Sequence, residues 1–259
     1  MHSVVGVRST PDTAARLEAA EGSVKFGDAP MVINPWDEFA VEEALVQAKA
    51  HGGSVTVVAV GPEVHNEALK HALAMGADAA IRLWDEAWAG LDSLGYAAVF
   101  AAAVQKMGDV DLLLFGKEAA DEATDQHIFQ VARKLGWTAL GFVSKIVALD
   151  PAGRTIRVER MVEQGRETLS GRLPAVINVL KEINTPRYPS FMGIRKATKA
   201  TIPVWGAADL GVSVSAPKVR AVAYQNLPVR AGTVQLIEGA TVEEQARALV
   251  EKLLAEKVI

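Results

Sequence analysis

The chain has 259 residues, 50 % of them apolar and 22 % charged, with a formal net charge of −4 and no cysteine. The missing cysteines exclude disulfides, zinc–thiolate and iron–sulfur sites and a cysteine nucleophile. The acidic balance gives no large positive field for nucleic acid or an acidic membrane surface, and no apolar run is long enough for a bilayer-spanning helix.

Met1 to Arg8 is too short in its apolar stretch for a signal peptide, and Val4 to Val7 reads as a strand. Helical patterns follow over Asp37 to Ala50, Glu63 to Met75, Leu94 to Met107 and Gln126 to Leu135, each closed by a glycine. Between them Val55 to Val60, Ala79 to Leu83 and Leu112 to Phe115 are strand-like, and Ala175 to Leu180 repeats the pattern after Leu173-Pro174. Buried strands alternating with helices predict an open, mostly parallel, doubly wound α/β sheet. Val143 to Ala148, Ile156 to Arg160 and Glu167 to Leu173 read as an antiparallel extension with tight turns between them. From Ala207 to Gly239 there is little periodicity. The chain then closes in a helix, where Thr241 and Glu244 form a capping box and Val242, Ala246, Leu249, Val250 and Leu253 share a face. Two units are expected. Residues 1–206 form the α/β domain, and 207–259 form an arm and helix that pack on a partner.

Several chemistries lack their residues. There is no Gly-x-Gly-x-x-Gly; Gly116-Lys117 is followed by Glu118 rather than the Ser or Thr of a phosphate-binding loop; and there is no Gly-x-Ser-x-Gly elbow. His2, His51, His65, His71 and His127 have no metal-ligand spacing and read as solvated or locally bonded surface residues. Asp37, Glu38, Glu42 and Glu43 are either acid/base machinery or, the reading the helix dipole favours, a solvated helix start. Asn34-Pro35-Trp36 before it is either a turn in which Asn34 bonds its own backbone or a loop over the ligand-binding edge of the sheet. Gly116 to His127 follows a buried strand and leads into a helix, where free N–H groups suit a phosphate, although Asp121, Glu122 and Asp125 add negative charge. Asp125 as a plain N-cap is the rival reading. Asn184 to Lys199 combines prolines, aromatics and basic residues. It is either a surface loop with Phe191 and Met192 turned inward or a docking loop with an apolar anchor in a basic rim.

Taken together, Glu182-Ile183-Asn184-Thr185-Pro186-Arg187-Tyr188-Pro189-Ser190 with Gly193-Ile194 and Lys196, Asn34-Pro35-Trp36-Asp37-Glu38 with Val41 to Ala44, Ala72 to Asp78, and Gly116 to Ala119 with Asp121 and Gln126 resemble the β subunit of electron-transfer flavoprotein over almost the whole chain. The resemblance implies an adenine-nucleotide α-hydrolase-like sheet and a heterodimer with an α subunit that holds most of the FAD. AMP would sit structurally in this subunit, or a second FAD would take its place in the electron-bifurcating members. Electrons would come from acyl-CoA or related flavin dehydrogenases and pass to a quinone oxidoreductase or another acceptor. No catalytic residue and no metal site is implied, because the cofactor carries the redox step. A cytoplasmic protein is expected, or one of the mitochondrial matrix if the source is eukaryotic.

By position, the nucleotide site would comprise Gly6, Asn34, Pro35, Trp36, Asp37, Val60, and the loop Gly116, Lys117, Glu118, Ala119, Ala120, Asp121, Glu122, Ala123, Thr124, Asp125, Gln126 and His127. Partner docking would use the loop from Val179 to Thr201 within the first unit, through Arg187, Tyr188, Phe191, Met192, Arg195, Lys196 and Lys199, with Phe191 where the family usually has a leucine anchor. Asp125, His127 and Ile128 depart from a neutral amide, a small hydroxyl and a glycine. A protonated His127 would offset Asp125, and a neutral one would not. Met161 stands where some members carry a glutamate. A nucleotide-binding regulatory module acting alone is the reading from another class; it predicts a stable chain that needs no partner.

Overall fold

The computed structural model describes residues 1–123, 126–228, 232 and 234–259. The chain divides into two compact units, Met1–Tyr224 and Gln225–Ile259. Residues 207–224, expected with the arm, belong to the first.

In the first unit the strands are β1 (His2–Gly6), β2 (Ser9–Pro11), β3 (Glu18–Ala20), β4 (Ser23–Lys25), β5 (Met31–Ile33), β6 (Ser54–Val60), β7 (Ala79–Leu83), β8 (Leu112–Gly116), β9 (Thr138–Asp150), β10 (Thr155–Val162), β11 (Gly165–Arg172), β12 (Ala175–Val179) and β13 (Val204–Trp205). The helices are α1 (Pro35–His51), α2 (Asn66–Met75), α3 (Ser93–Met107), α4 (Gln126–Leu135), α5 (Phe191–Thr198) and the short α6 (Ala207–Leu210). Nine strands form one sheet in the order β11-β10-β9-β12-β8-β1-β6-β7-β13. All neighbours run parallel except β9–β10 and β10–β11, which form the antiparallel extension. The chain places β6 on one side of β1 and later β8 on the other, so the order reverses at β1, where open α/β sheets bind ligands.

The apolar strands serve two layers because successive side chains point to opposite faces. Val5, Val57, Leu112, Leu114 and Ile177 pack with Ala40, Val41, Ala44 and Leu69 of α1 and α2. Val4, Val58, Leu113, Phe115 and Val176 pack with Phe100, Val104, Ile128 and Val131 of α3 and α4. Phe100 is fully buried between these elements, stacked on Tyr96 and tilted against Phe115. Asp92 caps α3 by accepting from the Gly95 N–H at 2.9 Å.

Several expectations change. Between Arg8 and Asn34, where no element was expected, lie the three-residue pairs β2–β5 and β3–β4. The proline-rich docking segment contains helix α5, capped by Ser190, whose Oγ accepts from the Gly193 N–H at 3.0 Å. The helical pattern from Glu63 breaks into a 3-10 turn, Glu63–His65, before α2. Among the described residues no helix is long and apolar enough to cross a membrane.

The second unit is built around α7 (Val242–Ala255). Thr241 Oγ1 accepts from the Glu244 N–H at 3.2 Å, as a cap should. The Glu244 carboxylate returns to the Ala240 N–H, one residue before the expected partner. Leu249, Val250 and Leu254 are exposed.

Candidate functional site

The site lies where β1 and β8 end. Three segments meet there: the end of β1 with Arg8, the start of α1, and the loop after β8. Two side chains staple them. Asn34 Nδ2 donates to Glu118 O at 2.9 Å, and Asn34 Oδ1 accepts from the Ala120 N–H at 3.1 Å. Asn34 is therefore bonded across to the second loop, not to its own turn as one sequence reading had it. Asp37 Oδ2 accepts from the Arg8 N–H at 3.0 Å. Gly116 completes the junction: a Cβ there would lie 2.5 Å from the Trp36 carbonyl carbon and 2.6 Å from Asp37 Oδ1. No larger residue fits unless the α1 start withdraws.

Asp37 is only 6 % exposed. Burial pushes its carboxyl up to about 7, against the pull of Asn34, the Arg8 N–H and charge, and the Gly116 N–H. The expected solvated cluster at this helix start is not present. Glu42 and Glu43 are also buried, because the segment before α5 lies over them. The Arg187 N–H, Nε and Nη2 donate to Glu42 at 3.2, 2.7 and 2.9 Å. Asn184 Nδ2 donates to Glu43 and to the Phe39 carbonyl, each at 3.1 Å. Burial alone would raise the Glu42 carboxyl, but the Arg187 hydrogen bonds and charge outweigh it and hold it below the ordinary range.

Two histidines read as surface residues are instead enclosed at this edge. His65 Nδ1 accepts from the Ser9 N–H at 3.0 Å, and burial with the Arg8 and Arg82 charges pulls its pKa down to about 4. His127 packs edge-on against Tyr96 and Phe115, with ring centroids at 4.7 and 5.6 Å. Burial, then Arg8, lowers its pKa to about 4. His127 is therefore neutral at pH 7 and brings no cation to offset an acidic neighbour. Desolvation pushes the Tyr96 hydroxyl well above its ordinary range.

These aromatics nearly fill the crevice between Gly6 and Gly116. The space there, bounded by Gly6, Asn34, Asp37, Gly116, Ala119 and His127, is only about 20 Å³. A hollow of about 510 Å³ lies beside it, at the ends of β6 and β7. Its walls include Arg8, Val60, His65, Trp84, Trp88, Tyr96, Glu122, Gln126 and His127. Arg8 Nη2 and Nη1 lie 3.2 and 3.5 Å from Asp121 and Glu122, while its buried Nε has no hydrogen-bond partner. A cationic side chain on the wall of an aromatic-lined hollow fits a planar ligand with an anionic group, which would compete with Asp121 and Glu122 for the guanidinium.

The residues expected from sequence are thus distributed over neighbouring places. Gly6, Asn34, Asp37, Gly116, Glu118 and Ala119 border the crevice, and Val60, Glu122 and Gln126 border the hollow. Trp36 instead lies under Lys117, whose Nζ sits 5.1 Å from its ring centroid and 3.2 Å from Glu118. Pro35 faces a separate cavity. Ala120, Asp121 and Ala123 are exposed. Thr124 and Asp125, with the N-cap reading of Asp125, lie outside the described residues. Sequence reasoning missed Arg8, Trp84, Trp88 and Tyr96 as walls. Among the described residues no cluster of His, Asp or Glu could hold a metal.

On α5 and the segment before it, Tyr188, Phe191 and Met192 are 96, 80 and 68 % exposed, with exposed Arg195, Lys196 and Lys199 beside them. Phe191 and Met192 do not turn inward. Arg187, expected in the same docking set, is engaged with Glu42 within the chain.

Residues 24–210 match the electron transfer flavoprotein domain family. The chain is 38 % identical over 217 residues to protein FixA of Azorhizobium caulinodans, covering 82 % of this chain and 77 % of that one. It is 34 % identical to the caffeyl-CoA reductase-Etf complex subunit CarD of Acetobacterium woodii and 33 % identical to electron transfer flavoprotein subunit beta of Clostridium acetobutylicum, each over the full length of both chains. With a parallel sheet that reverses at β1 and a site at that reversal, the chain belongs to the electron transfer flavoprotein family, as a subunit of the β type.

Proposed function

We propose that this chain is the β subunit of a heterodimeric electron carrier whose α subunit holds most of the FAD, and that it binds AMP in the hollow beside Arg8. The supporting observation is the Arg8 side chain on the wall of that aromatic hollow at the sheet's reversal point, with one guanidinium nitrogen still without a hydrogen-bond partner. AMP supplies no redox chemistry; a flavin in the complex carries the electrons. This chain's residues do the holding. Asn34 and Asp37 fix the two loops, Arg8 meets the phosphate, and the rings of Trp84, Trp88 and Tyr96 exclude water around the base. The exposed Phe191 and Met192, with Arg195, Lys196 and Lys199, dock an acyl-CoA or related flavin dehydrogenase as electron donor, and a quinone oxidoreductase or another acceptor takes the electrons onward. The arm and α7 pack on the α subunit through Leu249, Val250 and Leu254.

A second reading places a second FAD in this subunit, as in bifurcating carriers. The size and aromatic lining of the 510 Å³ hollow suit AMP and a flavin nucleotide alike, so the ligand count of the complex decides between the two readings. The test is reduction of the purified heterodimer by a flavin dehydrogenase, followed at the flavin absorbance. Bleaching at the rate of dehydrogenase turnover is expected. A chain that forms no complex with an α subunit, or a complex that is never reduced, would overturn the proposal.

A further inference from the structure

The hollow beside Arg8 has a wall that none of the motif residues supplies. Val219, Arg220 and Ala221 line it, from the extended segment that follows α6. This segment is tied at both ends by backbone groups. The Lys218 N–H donates to Asp92 Oδ2 at 2.6 Å, and the Tyr224 N–H donates to the Gly22 carbonyl at 2.9 Å. Between the ties, Val219 and Val222 are 74 and 91 % exposed. Hydrogen bonds rather than apolar packing hold this strap, so it can lift without opening the core.

The charges around the hollow are unequal in availability. Both Asp92 oxygens accept backbone N–H groups, from Gly95 and Lys218, and these hold its carboxyl below the ordinary range. Glu122 is half exposed and sits 3.5 Å from Arg8. His65 and His127 are neutral. Arg220 has no ion pair among the described residues, and with Arg8, which Asp121 and Glu122 already hold, it supplies the cationic side chains on the walls for an anionic ligand.

We infer that Arg220 is a ligand-binding residue: together with Arg8 it holds the anionic group of the nucleotide, and the strap 218–224 is the latch that carries it. The inference rests on the nucleotide reading given above. It follows that ligand occupancy restrains the chain immediately before Gln225, where the second unit begins.

The experiment uses the heterodimer stripped of its nucleotide, with labelled AMP and adenosine as probes; FAD replaces AMP if the complex is found to carry two flavins. Arg220→Gln is expected to weaken AMP binding by about tenfold or more, the loss of a charge-assisted hydrogen bond, with Arg220→Lys recovering part of it. Adenosine, which lacks the phosphate, should bind wild type and Arg220→Gln alike. Bound AMP should also slow tryptic cleavage after Lys218 and Arg220 in the wild type. Wild-type AMP affinity in Arg220→Gln, or an equal loss for adenosine, would overturn the inference and leave the nucleotide reading standing. A wild-type complex that binds neither AMP nor FAD would overturn both.

Discussion

Replacing Arg187 with alanine strands the Glu42 carboxylate. In the folded chain that carboxylate receives three hydrogen bonds from Arg187 and its side chain is 8 % exposed. Removing one partner of a buried ion pair costs about 3–5 kcal/mol. The Arg187 side chain is 43 % exposed, so solvent screens part of the interaction, and the expected loss is about 2–3 kcal/mol. Glu42→Gln keeps the shape and one acceptor but gives up the charge, for about 1–2 kcal/mol. The double variant should cost less than the sum of the two, because each single change removes the same contact. Denaturation of the full chain by urea, followed by tryptophan fluorescence, measures all three. The sign with pH is also set. The folded Glu42 carboxyl lies below its ordinary 4.5, so the contribution is full above that pH and fades as pH falls through the lowered value. A loss under about 0.5 kcal/mol for Arg187→Ala, or strict additivity, would refute the clamp.

Phe191→Ala removes a side chain that is 80 % exposed, so stability should hold within about 0.5 kcal/mol while reduction by the dehydrogenase slows and flavin content stays constant. Unchanged coupled kinetics would remove Phe191 from the docking surface. His127 is neutral in the fold with a pKa near 4 against an ordinary 6.5, so the unfolded chain takes up a proton that the folded one refuses, and stability falls as pH drops from 6.5 to 4. Relative to wild type, His127→Phe should recover about 3 kcal/mol over that interval; equal pH slopes in the two proteins would contradict the assignment. Gly116→Ala forces a Cβ against the Trp36 backbone and should cost more than about 3 kcal/mol or prevent accumulation, and a melting temperature equal to wild type would show that the two loops are not locked together.

What could be read ahead of the structure was periodic. The apolar runs at Val55 and Leu112 alternate between two apolar layers, and the helices around Ala72 and Phe100 turn apolar faces inward, so the doubly wound sheet and its antiparallel extension were legible. Pairs of three residues, such as β2 and β5, carry too short a period to register. The segment around Phe191 hides a helix because its prolines precede Ser190 and stop there. The largest misreadings concern charge. Glu42 finds its partner 145 residues away, and Asp37 is buried where Arg8 after β1 and Gly116 at the end of β8 close on the start of α1. Local arguments from the helix dipole cannot register such partners. Gly6 and Gly116 were placed correctly at the strand ends, whereas Arg8, Trp84 and Tyr96 reach the hollow only through the topology of the sheet. Arg220 arrives by an aperiodic strap that no pattern marks.

The central claim is that this subunit holds its own adenine nucleotide next to a partner that holds FAD. It is tested most directly by releasing the ligands of the purified heterodimer with acid and counting them by chromatography. One FAD and one AMP per heterodimer is the result predicted, and two FAD without AMP would select the second reading of the same hollow. One FAD and no other nucleotide would contradict the account.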